Sequence, residues 1–366
     1  MAGRQGQLRR PEKRTEVRQT LVRWITEQGL RPGERILGQS QLATLLGTTP
    51  VTVHKALTEL AADGVVHRRD GVGTFVGPAP AAMVRTRTIC LVLPGEHLDD
   101  PQYNPYYWPY VQSLYRAFLD VVGDRWTFST RVVSPATDPR NAARHLRGLA
   151  GVFFHHTKEP VALWRYLVRE RIVPTVAFGL PRLDVPCLTV DHDATGGTRK
   201  GVSHLLELGY RRIALVCSRH AWGDYWRDGY RLALREYSLR GDSRRIVRID
   251  DPREGGAEAV AELARRGVTY DAVFADTDLH GLRVVEALRA AGRRVPQDVG
   301  VMGLDGLDLA VHHPPHLTSL AIPYRQMIAY ALAELERGAG APTPDHHERF
   351  IGEVIAGRTA VRRTAP

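Results

Sequence analysis

The chain has 366 residues, a formal net charge of +10, 43% hydrophobic residues and 25% charged residues. That length exceeds one ordinary domain and predicts two or three folded units. No apolar run approaches the roughly 18–20 residues that span a bilayer, and the opening MAGRQGQLRRPEKR is polar where a secretion signal is apolar, so a cytoplasmic chain with no membrane partner is expected.

Residues 1–12 are expected to form a flexible N-terminus, followed by a helix from Thr15 to Gln28 with Val17, Leu21, Trp24 and Ile25 on its apolar side. A second helix is placed from Ser40 as N-cap to Leu46, with Leu42, Leu45 and Leu46 on one face and Gly47 free to turn left-handed. A third begins with Thr49 as N-cap and Pro50 at the first helical position, repeats Val53, Ala56, Leu57 and Leu60 at helical spacing, and stops at Gly64. Its polar side carries Thr52, His54, Lys55 and Thr58. So short a connection makes two helices cross steeply, and the first turns of the second can then enter a DNA major groove.

After Gly64 the pattern changes to Val65–Arg69, a turn over Asp70-Gly71-Val72-Gly73, and Thr74–Val76, which reads as a basic hairpin. Residues 13–77 are therefore expected to form a winged helix-turn-helix for double-stranded DNA. Thr49, Thr52, His54 and Lys55 are expected to face the duplex, with Arg68, Arg69, Gly71, Gly73 and Thr74 of the wing approaching phosphates or the minor groove. Residues 1–78 hold 12 Lys or Arg against 7 Asp or Glu, half of the net charge on about a fifth of the chain. A basic domain attracts the phosphate backbone and binds in a salt-sensitive way.

Residues 78–87 are Pro- and Ala-rich and read as a linker. Beyond it, buried strands are expected at 89–93, 128–133, 152–154, 175–178, 213–216, 246–249, 272–275 and 299–304, with helices at 107–121, 195–208, 227–240, 256–266 and 279–291. Such alternation predicts a doubly wound α/β architecture with parallel sheets, which binds ligands at the carboxyl ends of its strands. Cys90, Cys187 and Cys217 sit in apolar strand-like contexts and are expected as buried free thiols. The pairs His155-His156, His312-His313 and His346-His347 lack a companion ligand set, so no metal or other cofactor is expected.

The segments GLRPGERI, QLATLLG, TVHKALTELAADGVV and RRDGVGTFV together resemble the DNA-binding domain of GntR-family bacterial regulators. The chain departs from that family's usual arginines with Ser40, Pro50 and His54, which implies an altered operator, because arginine forks are the commonest readers of guanine edges. From 88 to the C-terminus, ICLVLPG, NPYYWPYVQSL, VDHDATGGTRKGVSHLLELGYRRIALV, YDAVFADTDLHGLRVVEALRAAGRRVPQDVGVMGLDGLDLA and PPHLTSLAIPYRQM resemble the sensor of LacI-type regulators, similar in fold to periplasmic sugar-binding proteins. The combination resembles the arabinose-repressor class.

That resemblance implies two lobes joined by three crossings, 88–189 with 306–322 and 190–305 with 323–366, and a small-molecule effector, expected to be a sugar, in the cleft between them. Tyr106, Tyr107 and Asp305 match family pocket positions, and Trp226, Arg227 and Asp278 are the ligand-facing candidates at or beside two pocket positions that depart. Asp305 can accept two sugar hydroxyls, and the tyrosines serve either ring stacking or helix packing. Trp226 stands where the family has an arginine and Thr277-Asp278 where it has Asn-Asp, so a standard hexose is in question. The cluster Trp222, Tyr225 and Trp226 either stacks on a larger or flatter ligand or closes an empty cleft. An effector-modulated repressor acting as a homodimer on a palindromic operator is expected. The alternatives are a ligand-independent binder whose sensor only dimerises, and an aminotransferase-like fusion. Beyond the linker only Lys158 and Lys200 could form the Schiff base that such an enzyme needs, and neither lies in a matching motif, so no enzyme is expected.

Overall fold

The computed structural model describes residues 17–363 except 19, 23, 26–27, 63, 70, 78–87, 96–103, 135, 156–160, 179–186, 220–222, 251–254 and 338–345. The expected N-terminal segment 1–12 and the linker 78–87 lie outside the described residues.

In the head, the described residues between 17 and 25 are helical and precede α1 (Gln39–Leu45), α2 (Pro50–Ala62), β1 (Val66–Arg69) and β2 (Gly73–Val76). Leu21, Ile25, Leu42, Val53, Ala56, Leu57 and Leu60 are fully buried and form one core with Val65 and Val76. The third helix starts as expected: Thr52 N–H donates to Thr49 Oγ1 at 3.2 Å, and Pro50 opens the helix. The second differs. Its N-cap is Gly38, whose N–H donates to Gln41 Oε1 at 3.1 Å, and Leu45 is 54% exposed because the seven-residue helix offers the core only Leu42 and Ala43.

The rest of the chain folds as two three-layer α/β lobes. The first contains β3 (Thr88–Pro94), α3 (Asn104–Val122), β4 (Thr127–Val133), α4 (Pro139–Arg144), β5 (Gly151–His155), α5 (Val161–Arg169), β6 (Thr175–Phe178) and β7 (Leu188–His192). The second contains α6 (Ala194–Glu207), β8 (Ile213–Ser218), α7 (Gly223–Glu236), β9 (Ile246–Ile249), α8 (Gly255–Arg265), β10 (Ala272–Ala275), α9 (Asp278–Ala290), β11 (Gly300–Asp305), α10 (Asp308–Val311) and β12 (Thr318–Ala321). The chain then returns through α11 (Tyr324–Arg337) and β13 (His346–Phe350) to β14 (Val354–Ile355).

The sheet orders are β13-β7-β6-β5-β3-β4 and β14-β12-β11-β10-β8-β9, parallel throughout except β12 with β14. Strands buried on both faces read as unbroken apolar runs, as in Ile89–Leu93 and Ala272–Ala275. In the first lobe, α3 and α11 cover one face over Phe118, Phe153 and Phe178, and α4 and α5 cover the other over Val92, Phe154 and Trp164. In the second, α6 and α7 share one core, while α8 and α9 share another. All three cysteines are buried and free.

The expected division of the lobes is corrected. Residues 306–322 belong to the second lobe, since β12 pairs in parallel with β11. The segment after 323 splits: α11 buries Met327, Ile328 and Leu335 in the first lobe and β13 pairs with β7, whereas β14 and Ala360 rejoin the second. The three crossings therefore lie near 193, 322 and 351–353. They are stitched together by Asp193 N–H to Phe350 O at 2.8 Å and Ala321 N–H to Glu353 O at 2.9 Å.

Candidate nucleic-acid interface and effector cleft

The exposed side of α2 carries Thr49, Val51, His54, Lys55 and Thr58. The hydroxyls of Thr49 and Thr52 are 2.9 Å apart, and His54 Nδ1 lies 3.3 Å from Gln39 Nε2, so the start of α1 supports the middle of α2. The wing pairs β1 with β2 in antiparallel register, Val66 opposite Val76 and Arg69 opposite Gly73. Its two arginines separate. Arg68 Nη2 donates to His54 O at 3.0 Å and locks wing to helix, whereas Arg69 is exposed with its guanidinium 5.1 Å above the Phe75 ring. Gly71 and Gly73 both take positive φ, and a Cβ on Gly73 would lie 2.8 Å from Arg35 Nε. Thr74 is half-buried beside them. Asp70 lies outside the described residues.

The parallel strands run in the order 2-1-3-4-5-6 in the first lobe and 2-1-3-4-5 in the second, so the order reverses between β3 and β5 in the first lobe and between β8 and β10 in the second. Ligands bind beyond the carboxyl ends of strands at such switch points. In the second lobe that place is acidic. Asp276 follows β10, accepts Ser218 N–H at 2.8 Å across the switch point, and lies 2.6 Å from His280 Nδ1. Asp305 ends β11 with φ of 132°, a left-handed conformation that Gly306 continues at 71°. A non-glycine residue held there is a strained one, and such strain gathers at functional sites.

Asp305 takes the N–H of Asp278 at 3.1 Å on one oxygen and hydrogen-bonds to the phenol of Tyr110. Tyr110 belongs to α3 of the first lobe yet packs against the α8–α9 core of the second. The acidic end of β11 is thus bridged across the cleft, and an ion pair from Arg116 to Asp308 at 3.3 Å adds a second bridge at the surface. Burial raises the carboxyl of Asp305 well above the usual range and that of Asp278 to about 7, and the same burial raises the Tyr110 phenol.

The expected pocket residues do not all meet. Asp305 is at the bridge. Asp278 stands behind it: Ser319 O–H donates to its Oδ1 at 2.6 Å and Leu307 N–H to its Oδ2 at 2.7 Å, so it is spent on the β11–α10 turn rather than facing a ligand directly. Trp226 is 8% exposed in the α6–α7 core, and its indole N–H has no partner among the described residues. Arg227 is held by Asp224. Tyr225, by contrast, is 46% exposed. Trp222 and the side chains of Tyr106 and Tyr107 lie outside what is described. Among the described residues no three His, Cys, Asp or Glu converge on a metal position.

Sequence reasoning missed Tyr110, although it follows Tyr107 and Tyr106 by three and four residues, a spacing at which helical neighbours can share a role. It also missed Ser319 and the Asp276–His280 pair, which only the sheet order brings together. Val51, off the buried spacing of α2, was visible as an apolar residue out of phase.

The family model for bacterial regulatory proteins of the gntR family matches residues 13–76, and the model for a periplasmic binding protein-like domain matches 202–360. The HTH-type transcriptional regulator CelR of Thermobifida fusca is 36% identical over 191 residues, 51% of this chain and 55% of that protein. The arabinose metabolism transcriptional repressor of Geobacillus stearothermophilus is 24% identical over 328 residues, 86% of this chain and 88% of that one. A solved transcriptional regulator CelR–cellobiose complex shares 27% identity at a TM-score of 0.56, over 87% of this chain and 94% of that structure.

Proposed function

We propose that this chain, whose head matches the gntR-family model and whose C-terminal part matches a periplasmic binding protein-like domain, is a repressor whose operator affinity is set by a saccharide in the inter-lobe cleft. The observation that carries the proposal is Asp305, a buried carboxyl group at the carboxyl end of β11 that is met across the cleft by a hydroxyl of the opposite lobe. A carboxyl group that hydrogen-bonds one hydroxyl there can hydrogen-bond a sugar hydroxyl in the same way.

Effector binding replaces the phenol of Tyr110 at Asp305 and resets the angle between lobes through the crossings near 193, 322 and 351–353. In a homodimer bound to two half-sites, that movement takes the heads out of register. Coupling of this kind is typically worth about 1–3 kcal/mol. In the head, Thr49, Thr52, His54 and Lys55 face the groove and Arg69 the phosphates, with Arg68 holding the wing in place. The relative solved with cellobiose makes β-linked disaccharides the first class to try.

The test is fluorescence anisotropy of the full chain on a duplex selected from random DNA, titrated with cellobiose and a panel of mono- and oligosaccharides. A saccharide that weakens binding severalfold supports the proposal. Unchanged affinity across the panel would favour a sensor that serves only dimerisation, a reading that the Tyr110–Asp305 contact also suits because it satisfies the cleft internally.

A further inference from the structure

We infer that Val51, on the first turn of α2, reads the C5-methyl group of a thymine in the major groove. The inference rests on the DNA-binding reading of the head and adds to it a specific base contact.

Val51 is 64% exposed, more than any other large apolar side chain described, while Val53, Ala56, Leu57 and Leu60 of the same helix are fully buried. A single exposed apolar residue is ordinary on a protein surface. This one is informative because of its surroundings. It lies on the helical turn that approaches base edges in a helix-turn-helix, directly after the exposed Pro50. The polar groups beside it are already engaged: Thr49 and Thr52 hydroxyls hydrogen-bond each other at 2.9 Å, Thr52 N–H donates to Thr49 at 3.2 Å, and His54 lies 3.3 Å from Gln39.

The helix, PVTVHKALTELAA, contains no arginine, so it lacks the guanidinium fork that most often reads guanine. Its leading surface is instead the Pro50 ring and the two γ-methyls of Val51. The only apolar group on any base edge in the major groove is the thymine methyl. Shape and polarity therefore pair Val51 with thymine, with Lys55 left as the one cation of α2 for a phosphate or an acceptor edge.

The test uses the full chain. Duplexes are selected from a random library, and the best is resynthesised with deoxyuridine in place of each thymine in turn, which removes the methyl and leaves every hydrogen-bonding group. At one thymine per half-site the wild type is expected to lose about fourfold in affinity, the effect of one methyl group left unburied. Val51→Ala should bind thymine and deoxyuridine duplexes alike, both at about the wild type's deoxyuridine affinity, and Val51→Thr, which keeps one γ-methyl, should fall between. The exposure of Val51 makes the variants safe to fold, which circular dichroism checks. Absence of methyl dependence at every position, or its persistence in Val51→Ala, overturns the inference while leaving DNA binding intact. A chain that enriched no duplex would overturn the DNA-binding reading and this inference with it.

Discussion

The contact between Tyr110 and Asp305 gives a direct test of how the two lobes are held together. Tyr110→Phe removes one hydroxyl and nothing else. Removing one partner of a buried hydrogen bond costs about 1–3 kcal/mol, and here the loss leaves a buried carboxyl group, 7% exposed, without its partner across the cleft. The other described bridge, Arg116 to Asp308, has side chains 69% and 56% exposed and is screened by solvent, so it contributes at most about 1 kcal/mol. The phenol thus dominates, and its loss shifts the closed-to-open ratio by about 2 kcal/mol, or roughly 30-fold. Small-angle scattering of the unliganded full chain reads this shift directly. Tyr110→Phe is expected to show a larger radius of gyration than wild type, and Arg116→Ala a much smaller change. A Tyr110→Phe profile superimposable on wild type would refute the argument.

The remaining predictions concern pH, the wing and the head core. Burial raises the Asp278 carboxyl to about 7 in the folded chain, above the ordinary value of about 3.9 in the unfolded one. Its favourable contribution is therefore complete below about pH 4 and is lost as pH rises through 7. The melting temperature of the sensor should fall between about pH 4 and 7, and Asp278→Asn, which keeps an acceptor for Leu307 N–H and can turn its amide N–H to Ser319 Oγ in a reversed bond, should flatten that slope; an equal slope in the variant would sink the assignment. Arg69→Ala should lower the slope of log affinity against log salt by about 1 and weaken all sequences alike, whereas Arg68→Ala, which releases the wing from His54, should reduce affinity with less change in that slope; gel-shift titrations at several salt concentrations distinguish them. Leu57→Ala, at a fully buried position in the head, should cost about 2–5 kcal/mol and abolish DNA binding, while calorimetry shows the sensor transition in place.

Local signals place many elements within a residue or two, but the helix expected at 227–240 runs Gly223–Glu236, and α4, α5, α11 and β7 carry no local signal that the sequence reading used. Thr49-Pro50 and Gly64 bound α2 because a cap, a proline and a positive φ are decided within one turn of chain. Runs such as Ala272–Ala275 announce buried strands because both faces of a parallel strand need apolar residues. The shared register of sequence with the gntR and periplasmic-binding-protein families was likewise legible, since it resides in ordered motifs.

The path of the chain after 306 was not legible. Thr318–Ala321 and His346–Phe350 are short strands whose lobe is chosen by which sheet edge lies open to them, and no local pattern carries that choice. The same holds for the cleft. Asp276 and His280, Asp278 and Ser319, and Tyr110 and Asp305 become neighbours only once β8, β10, β11 and β12 are laid side by side and the lobes meet. Sequence alone determined the elements, the two-part plan and the exposed face of α2, all of which depend on contacts within a few turns of chain. The tertiary structure alone decided which carboxylates are buried together and which hydroxyl meets them, because desolvation and hydrogen bonding act between residues up to about two hundred positions apart.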